Sequence, residues 1–253
     1  MKIFKTTIAL AIMILLAPTN TNAQDLYYVH QDVVKPSKVM EYEGVLQEVL
    51  ALAKKHNLQD TRWITLVSNN SNYSYVMPLA NMAELDKPSF PEQLAEKAGK
   101  DIVSKLFDRM DTCYDTELNY TLTLDKELTY MPNGITQTPV GENYRNNHIF
   151  HIAPSNRAAV KEKMKAVKAL FESKGSKLYY RVYKSGFGTP NEYYMVAVAA
   201  KDAEDMEIKE KANRALLGND ALQKALNELY FNSLRYEKLE GNIRPDISYS
   251  PNQ

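Results

Sequence analysis

The chain has 253 residues, and its 31 lysines and arginines balance 31 aspartates and glutamates. No basic excess is left to neutralise phosphates, which excludes a nucleic-acid partner, and no basic amphipathic helix is present to lie on an anionic membrane. Cys113 is the only cysteine, so an internal disulfide is excluded, and its thiol reads as a buried helix residue rather than a nucleophile.

Residues 1–23 read as a signal peptide. Lys2 and Lys5 precede an apolar run over 8–17, and Thr21-Asn22-Ala23 ends on a small residue suited to cleavage. The run is too short to span a bilayer comfortably. An exported protein follows, periplasmic or extracellular, with no membrane insertion after cleavage. Without disulfides it must be held together by packing alone.

The first strand is expected over 26–34, rich in Tyr and Val. Pro36 suits a first helical turn. Val39, Tyr42, Val45, Leu46, Val49, Leu52 and Ala53 then recur at helical spacing between 38 and 56, and Asn57 is a left-handed stop. Residues 62–68 and 72–79 read as a hairpin turning at Asn69-Asn70-Ser71. A single helix over 93–114, with Ile102, Val103, Leu106, Phe107 and Met110 on its apolar face, and a strand near 118–130 complete a first unit over 24–131. Residues 132–145 are a linker.

The second unit, 146–253, follows the same order. A strand over 148–153 leads into a helix opened by Pro154-Ser155-Asn156, with Val160, Met164, Val167, Leu170 and Phe171 on one side and Gly175 at its end. Strands over 178–184 and 192–199 form a hairpin. Gly186-Phe187-Gly188 joins those strands rather than opening a helix, so it is not a phosphate loop. A charged stretch, a helix over 220–233 and a strand near 234–243 close the unit.

The two units share more than order. Pro36-Ser37 maps onto Pro154-Ser155 at an offset of 118 (154 − 36). The same offset carries Val49 onto Val167, Ala51-Leu52 onto Ala169-Leu170, Tyr75 onto Tyr193 and Met77 onto Met195. Strand, helix, strand, strand, helix, strand is the order of a ferredoxin-like plait. Each plait leaves one sheet face bare, and two bare faces in one chain bury each other. The expected fold is therefore α+β: two tandem ferredoxin-like repeats packed sheet to sheet as a dimeric-type α+β barrel.

This pattern resembles the dimeric α+β barrel superfamily, fused as two halves in one chain. That superfamily includes antibiotic-biosynthesis monooxygenase-like proteins, NIPSNAP-like proteins and haem proteins of the chlorite dismutase kind. The Tyr75-Val76-Met77 and Tyr193-Tyr194-Met195 strands and the two Pro-Ser helix starts carry the resemblance. None is a catalytic motif, so no active site is carried over. The resemblance implies a ligand site in the barrel interior.

Candidate lining residues are therefore polar or aromatic side chains on strands. The 17 tyrosines cluster there, with Tyr75 and Tyr193 as candidates. His30 pairs with His148 at the strict offset, or with His151 if a gap precedes the helix. The second pairing is preferred because His30 and His151 then converge on one cavity. Arg62, Trp63 and Arg181 are further candidates, the arginines for an anionic group. No spacing for a metal site is present, and no Gly-x-Ser-x-Gly elbow, Walker loop or dinucleotide fingerprint occurs. The leading expectation is an exported binder of a small apolar or aromatic molecule, with no cofactor. The alternatives are a cofactor-independent oxygenase, a haem protein using an inward histidine, or a non-enzymatic interaction protein that associates with itself.

Overall fold

The structure, a computed structural model, describes residues 25–251, so the segment read as a signal peptide lies outside the described residues. Strand β1 (Leu26–Val34) passes through a short turn at Pro36 into helix α1 (Val39–Lys55). Asn57 stops it at φ 47°, a left-handed conformation that asparagine tolerates. The hairpin β2 (Ile64–Ser68) and β3 (Asn72–Leu79) follows, then α2 (Phe90–Ala98), α3 (Lys100–Asp111) and β4 (Tyr114–Leu124). The second half comprises β5 (Tyr144–His151), α4 (Arg157–Lys174), β6 (Tyr180–Ser185), β7 (Tyr193–Ala200), α5 (Ala203–Leu217), α6 (Asn219–Asn232) and β8 (Arg235–Ile243).

Three expectations are corrected here. The helix expected over 93–114 is two helices, because Gly99 adopts φ 98° and breaks it, while a Ser89/Glu92 capping box starts α2 earlier. The charged stretch of the second half is a full helix, α5, capped by Asp202 accepting from the Asp205 amide. Its buried stripe is only Met206, Asn213 and Leu217, too sparse to announce itself among charges. Strand β5 starts at Tyr144 rather than 148; Asn146 and Asn147, both buried, made its first turns look like linker.

All eight strands close into one antiparallel barrel in the order β1-β3-β2-β8-β5-β7-β6-β4. Each half contributes a four-stranded sheet, β4-β1-β3-β2 or β6-β7-β5-β8, and the sheets join at the β2–β8 and β4–β6 seams. Glycine permits the close approach at each seam. A Cβ on Gly241 would lie 2.5 Å from the Val67 carbonyl oxygen, and one on Gly188 (φ 84°) would lie 2.2 Å from that of Asn119.

The halves also exchange tails. Past β4, Tyr130 bridges Tyr180 of the second half; past β8, Tyr249 bridges Trp63 of the first. The Tyr249 hydroxyl donates to the Leu58 carbonyl (3.0 Å) and that of Tyr130 to the Ser176 carbonyl (2.9 Å). Both rings are buried on the opposite half, so the two sheets are tied together by these tails as well as by their short seams.

Alternation along the strands sorts side chains into two layers. In the first half Tyr73, Tyr75 and Trp63 face the helices, joining Tyr42, Val45 and Val49 of α1 and Val103 and Leu106 of α3 in one core. In the second, Phe150, Tyr180, Val182, Tyr194 and Val198 join Val160, Met164 and Phe171 of α4 and Leu229 of α6. The opposite faces line the barrel interior, which is packed: Val29, Leu122, Ile149, Arg145 and Arg181 are all buried.

Candidate functional site

A cavity of about 310 Å³ lies outside the barrel, between the second sheet and helices α4, α5 and α6. Comparing the halves explains why it exists. The turns at Pro36 and Pro154 fix equivalence at 118 along β1/β5 and α1/α4. The Gly99 and Gly218 breaks, at φ 98° and 86°, fix it at 119 (218 − 99) along the paired helices. Tyr75 stands opposite His30, and Val196 opposite His148. At the equivalent level of the second half, therefore, Val160 replaces Tyr42, Val196 replaces Tyr75 and Asn213 replaces Leu94. In the first half these bulky side chains, with Trp63 against Phe90 at 4.9 Å, are buried together in one packed cluster. Their small or polar counterparts leave the space open.

The cavity wall is mostly apolar: Phe150, Met164, Val167, Phe171, Val196, Val198, Leu222, Leu226 and Leu229. Against it stands a small polar group set that includes His148, Glu210, Asn213 and Arg214. Asn213 is fixed by accepting from the Ser176 hydroxyl (2.6 Å), and Glu210 accepts from Asn146 Nδ2 (3.0 Å). Such a pattern, an apolar bowl with few placed polar groups, is that of a small-molecule site.

His148 is the central group. Its Nδ1 lies 2.7 Å from the Tyr236 hydroxyl, with the rings stacked, and the Tyr236 ring packs in turn on that of Tyr230 at 5.0 Å. Nδ1 is thus engaged with the phenol, and Nε2, on the far side of the ring, has no protein partner among the described residues. Burial, followed by the nearby Lys238 ammonium, pulls the imidazole down to about 4, so it is neutral at physiological pH. A neutral imidazole this far below its ordinary value is a weak base. It serves better as a hydrogen-bond acceptor or donor atom than as a proton abstractor.

The sequence candidates distribute differently from expectation. His30 and His151 do not converge. His30 faces the helix layer of the first half, beside Tyr75 at 5.9 Å, whereas His151 points into the barrel beside Tyr193 at 5.7 Å, with Nε2 3.1 Å from Arg235 and 3.4 Å from Glu237. Tyr75 and Tyr193 are not equivalent either. The second hairpin is longer, which shifts β7 by three residues against β5 and turns Tyr193 to the opposite face; a one-residue change of parity is enough for that. Arg62 is exposed ahead of β2, and Trp63 is core, its indole Nε1 donating to the Ile247 carbonyl (3.2 Å). Arg181 does point inward, but it holds the carbonyls of Thr136 and Gln137 at 2.8 and 2.7 Å. Its neighbour Arg145 binds the Glu142 and Gln137 carbonyls. The linker thus straps one end of the barrel. Cys113 is buried and free.

The residue missed was His148. The strict 118 spacing named it, and the preference for a shared interior cavity passed it over.

No protein family matches the sequence, and no characterised protein is a detectable sequence relative. Structural similarity is extensive. An anthrone oxidase-like protein superposes with TM-score 0.60 at 10% identity, covering 91% of this chain and 94% of that one. A proposed monooxygenase from Fusobacterium nucleatum gives 0.51 at 11%, covering 90% and 98%. A double mutant of chlorite dismutase from Candidatus Nitrospira defluvii gives 0.53 at 10%, covering 88% and 93%. At such identities the likeness establishes architecture: the chain has the dimeric α+β barrel fold.

Proposed function

We propose that the protein is exported and binds a small, largely apolar or aromatic molecule in the cavity of its second half, with His148 accepting a hydrogen bond from a hydroxyl or N–H of that molecule. One observation carries this reading: an apolar cavity of about 310 Å³ walled by a neutral histidine with a spare nitrogen. Its volume falls at the lower end of the roughly 300–1,000 Å³ range of small-molecule sites. The similarity to an anthrone oxidase-like protein supports a planar hydroxylated aromatic as the ligand class. Thermal unfolding against a panel of hydroxylated aromatics tests this. A ligand at 100 times its Kd stabilises by about 2.7 kcal/mol, roughly 5–10 °C in Tm, and His148→Ala reduces the shift. No shift with any member of the panel contradicts the reading.

A second reading is haem binding, favoured by the unpartnered Nε2 of His148 on an apolar wall. His148 would hold the iron through Nε2, and haem would supply redox chemistry. The modest cavity volume makes a smaller ligand the better fit. A Soret band on haem addition, lost in His148→Ala, supports this reading; an unchanged free-haem spectrum removes it.

A further inference from the structure

A second cluster of chemistry-bearing groups lies in the first half, away from the cavity. His30, Asp32 and Glu117 each place one ligand atom within 4.8 Å of the others, where β1 and β4 pair with His30 opposite Asn119. Asp32 Oδ1 lies 3.2 Å from His30 Nε2, off the line of a hydrogen bond, and it is a buried oxygen with no hydrogen-bond partner. The residue is only 1% exposed. A carboxylate oxygen so buried is costly to leave unsatisfied.

The surroundings orient these atoms. Asp32 Oδ2 is fixed by accepting from the Tyr42 hydroxyl (2.5 Å), itself 2.6 Å from that of Tyr75. On the other edge of the imidazole, His30 Nδ1 donates to Asn119 Oδ1 (2.9 Å), and Asn119 Nδ2 donates to Glu117 (2.6 Å). A histidine whose Nδ1–H is held by a side-chain oxygen presents Nε2 to a metal in a fixed orientation, and a ligating carboxylate is held by its second oxygen in the same way. Glu117 stands directly across the β1–β4 pair from Asp32; its Oε1 lies 3.9 Å from His30 Nδ1, and a change of its side-chain rotamer is needed to meet an ion seated between His30 Nε2 and Asp32 Oδ1.

We infer that His30, Asp32 and Glu117 form a binding site for a divalent transition-metal cation of the zinc type. One imidazole and two carboxylates suit such an ion. Three protein ligands leave a coordination position open to water, and the partial exposure of His30 and Glu117 gives the ion a way in. The site is independent of the cavity around His148.

Calorimetric titration of the untagged, chelator-stripped full chain with zinc chloride tests it, with magnesium chloride as the control. The expected result is one zinc ion per chain and no comparable magnesium binding. His30→Ala and Glu117→Gln are each expected to weaken zinc binding about 10- to 100-fold. Glu117→Gln alters a partly exposed side chain, so an unchanged melting temperature in the metal-free protein shows that its fold survives. Failure of the wild-type chain to bind zinc at millimolar concentration, or binding undiminished in both variants, overturns the inference.

Discussion

Val196 occupies in the second half the place that Tyr75 occupies in the first: each stands directly across the sheet from the histidine of its own half, His148 or His30. That exchange of a phenol ring for an isopropyl group is a principal reason why one sheet–helix layer is solid and the other hollow. Val196→Tyr is therefore expected to fill the cavity. Where the ring fits, filling raises stability by about 0.5–2 kcal/mol; denaturant unfolding, read at constant m-value, measures it. A loss of more than about 3 kcal/mol, beyond ordinary overpacking, would show that the layer is not hollow there.

Acid should destabilise the protein through His148. Its folded-state value is about 4, below the ordinary value near 6.5, so the unfolded chain takes up the proton first. The contribution is fully present above about pH 6.5, declines as pH falls, and is exhausted near pH 4, at a cost of up to about 3 kcal/mol. Unfolding free energies of the wild-type and His148→Gln proteins, compared across pH 4 to 7, check this. Their difference should change with pH in that window, and parallel curves would refute the assignment.

Tyr42→Phe removes the hydroxyl that donates to Asp32 and pairs with Tyr75. The buried Asp32 carboxylate then loses its one aligned donor, a penalty of about 1–3 kcal/mol. In a chain of this length that lowers Tm by roughly 3–10 °C. A change below 1 °C would mean that water readily replaces the phenol.

Arg181→Met should loosen the strap across the barrel end. The guanidinium satisfies carbonyls of Thr136 and Gln137, and burial lowers its pKa below the ordinary arginine value, a sign of how closely it is enclosed. With those carbonyls released, limited proteolysis is expected to gain cleavage sites within residues 132–143. An unaltered digestion pattern would show that Arg145 alone retains the strap.

Architecture was legible in the sequence where periodicity was strong. Pro36 and Pro154, the apolar stripes of α1 and α4 and the turn residues of the first hairpin predicted elements that the fold contains, and the closed barrel followed from two bare sheet faces. Legibility failed where polar residues serve structure. Asn146 and Asn147 hid the start of β5, and α5 was concealed by its charges. The site itself turned on parity. The longer turn at residues 186–192 shifts β7 relative to β3, so a match between Tyr75 and Tyr193 in the chain is no match in space. No single-chain pattern signals that the layer beneath His148 is empty, because a cavity is a property of side-chain volumes brought together from three helices and a sheet.

The central claim, that the space beneath His148 is where this protein holds its ligand, is tested most directly by fluorescence titration with 2-naphthol, comparing the wild-type chain with Val196→Tyr. The account predicts saturable binding of one molecule per wild-type chain and its loss in the variant, whose added ring takes the ligand's place. Equal binding by both proteins, or none by the wild type, would contradict it.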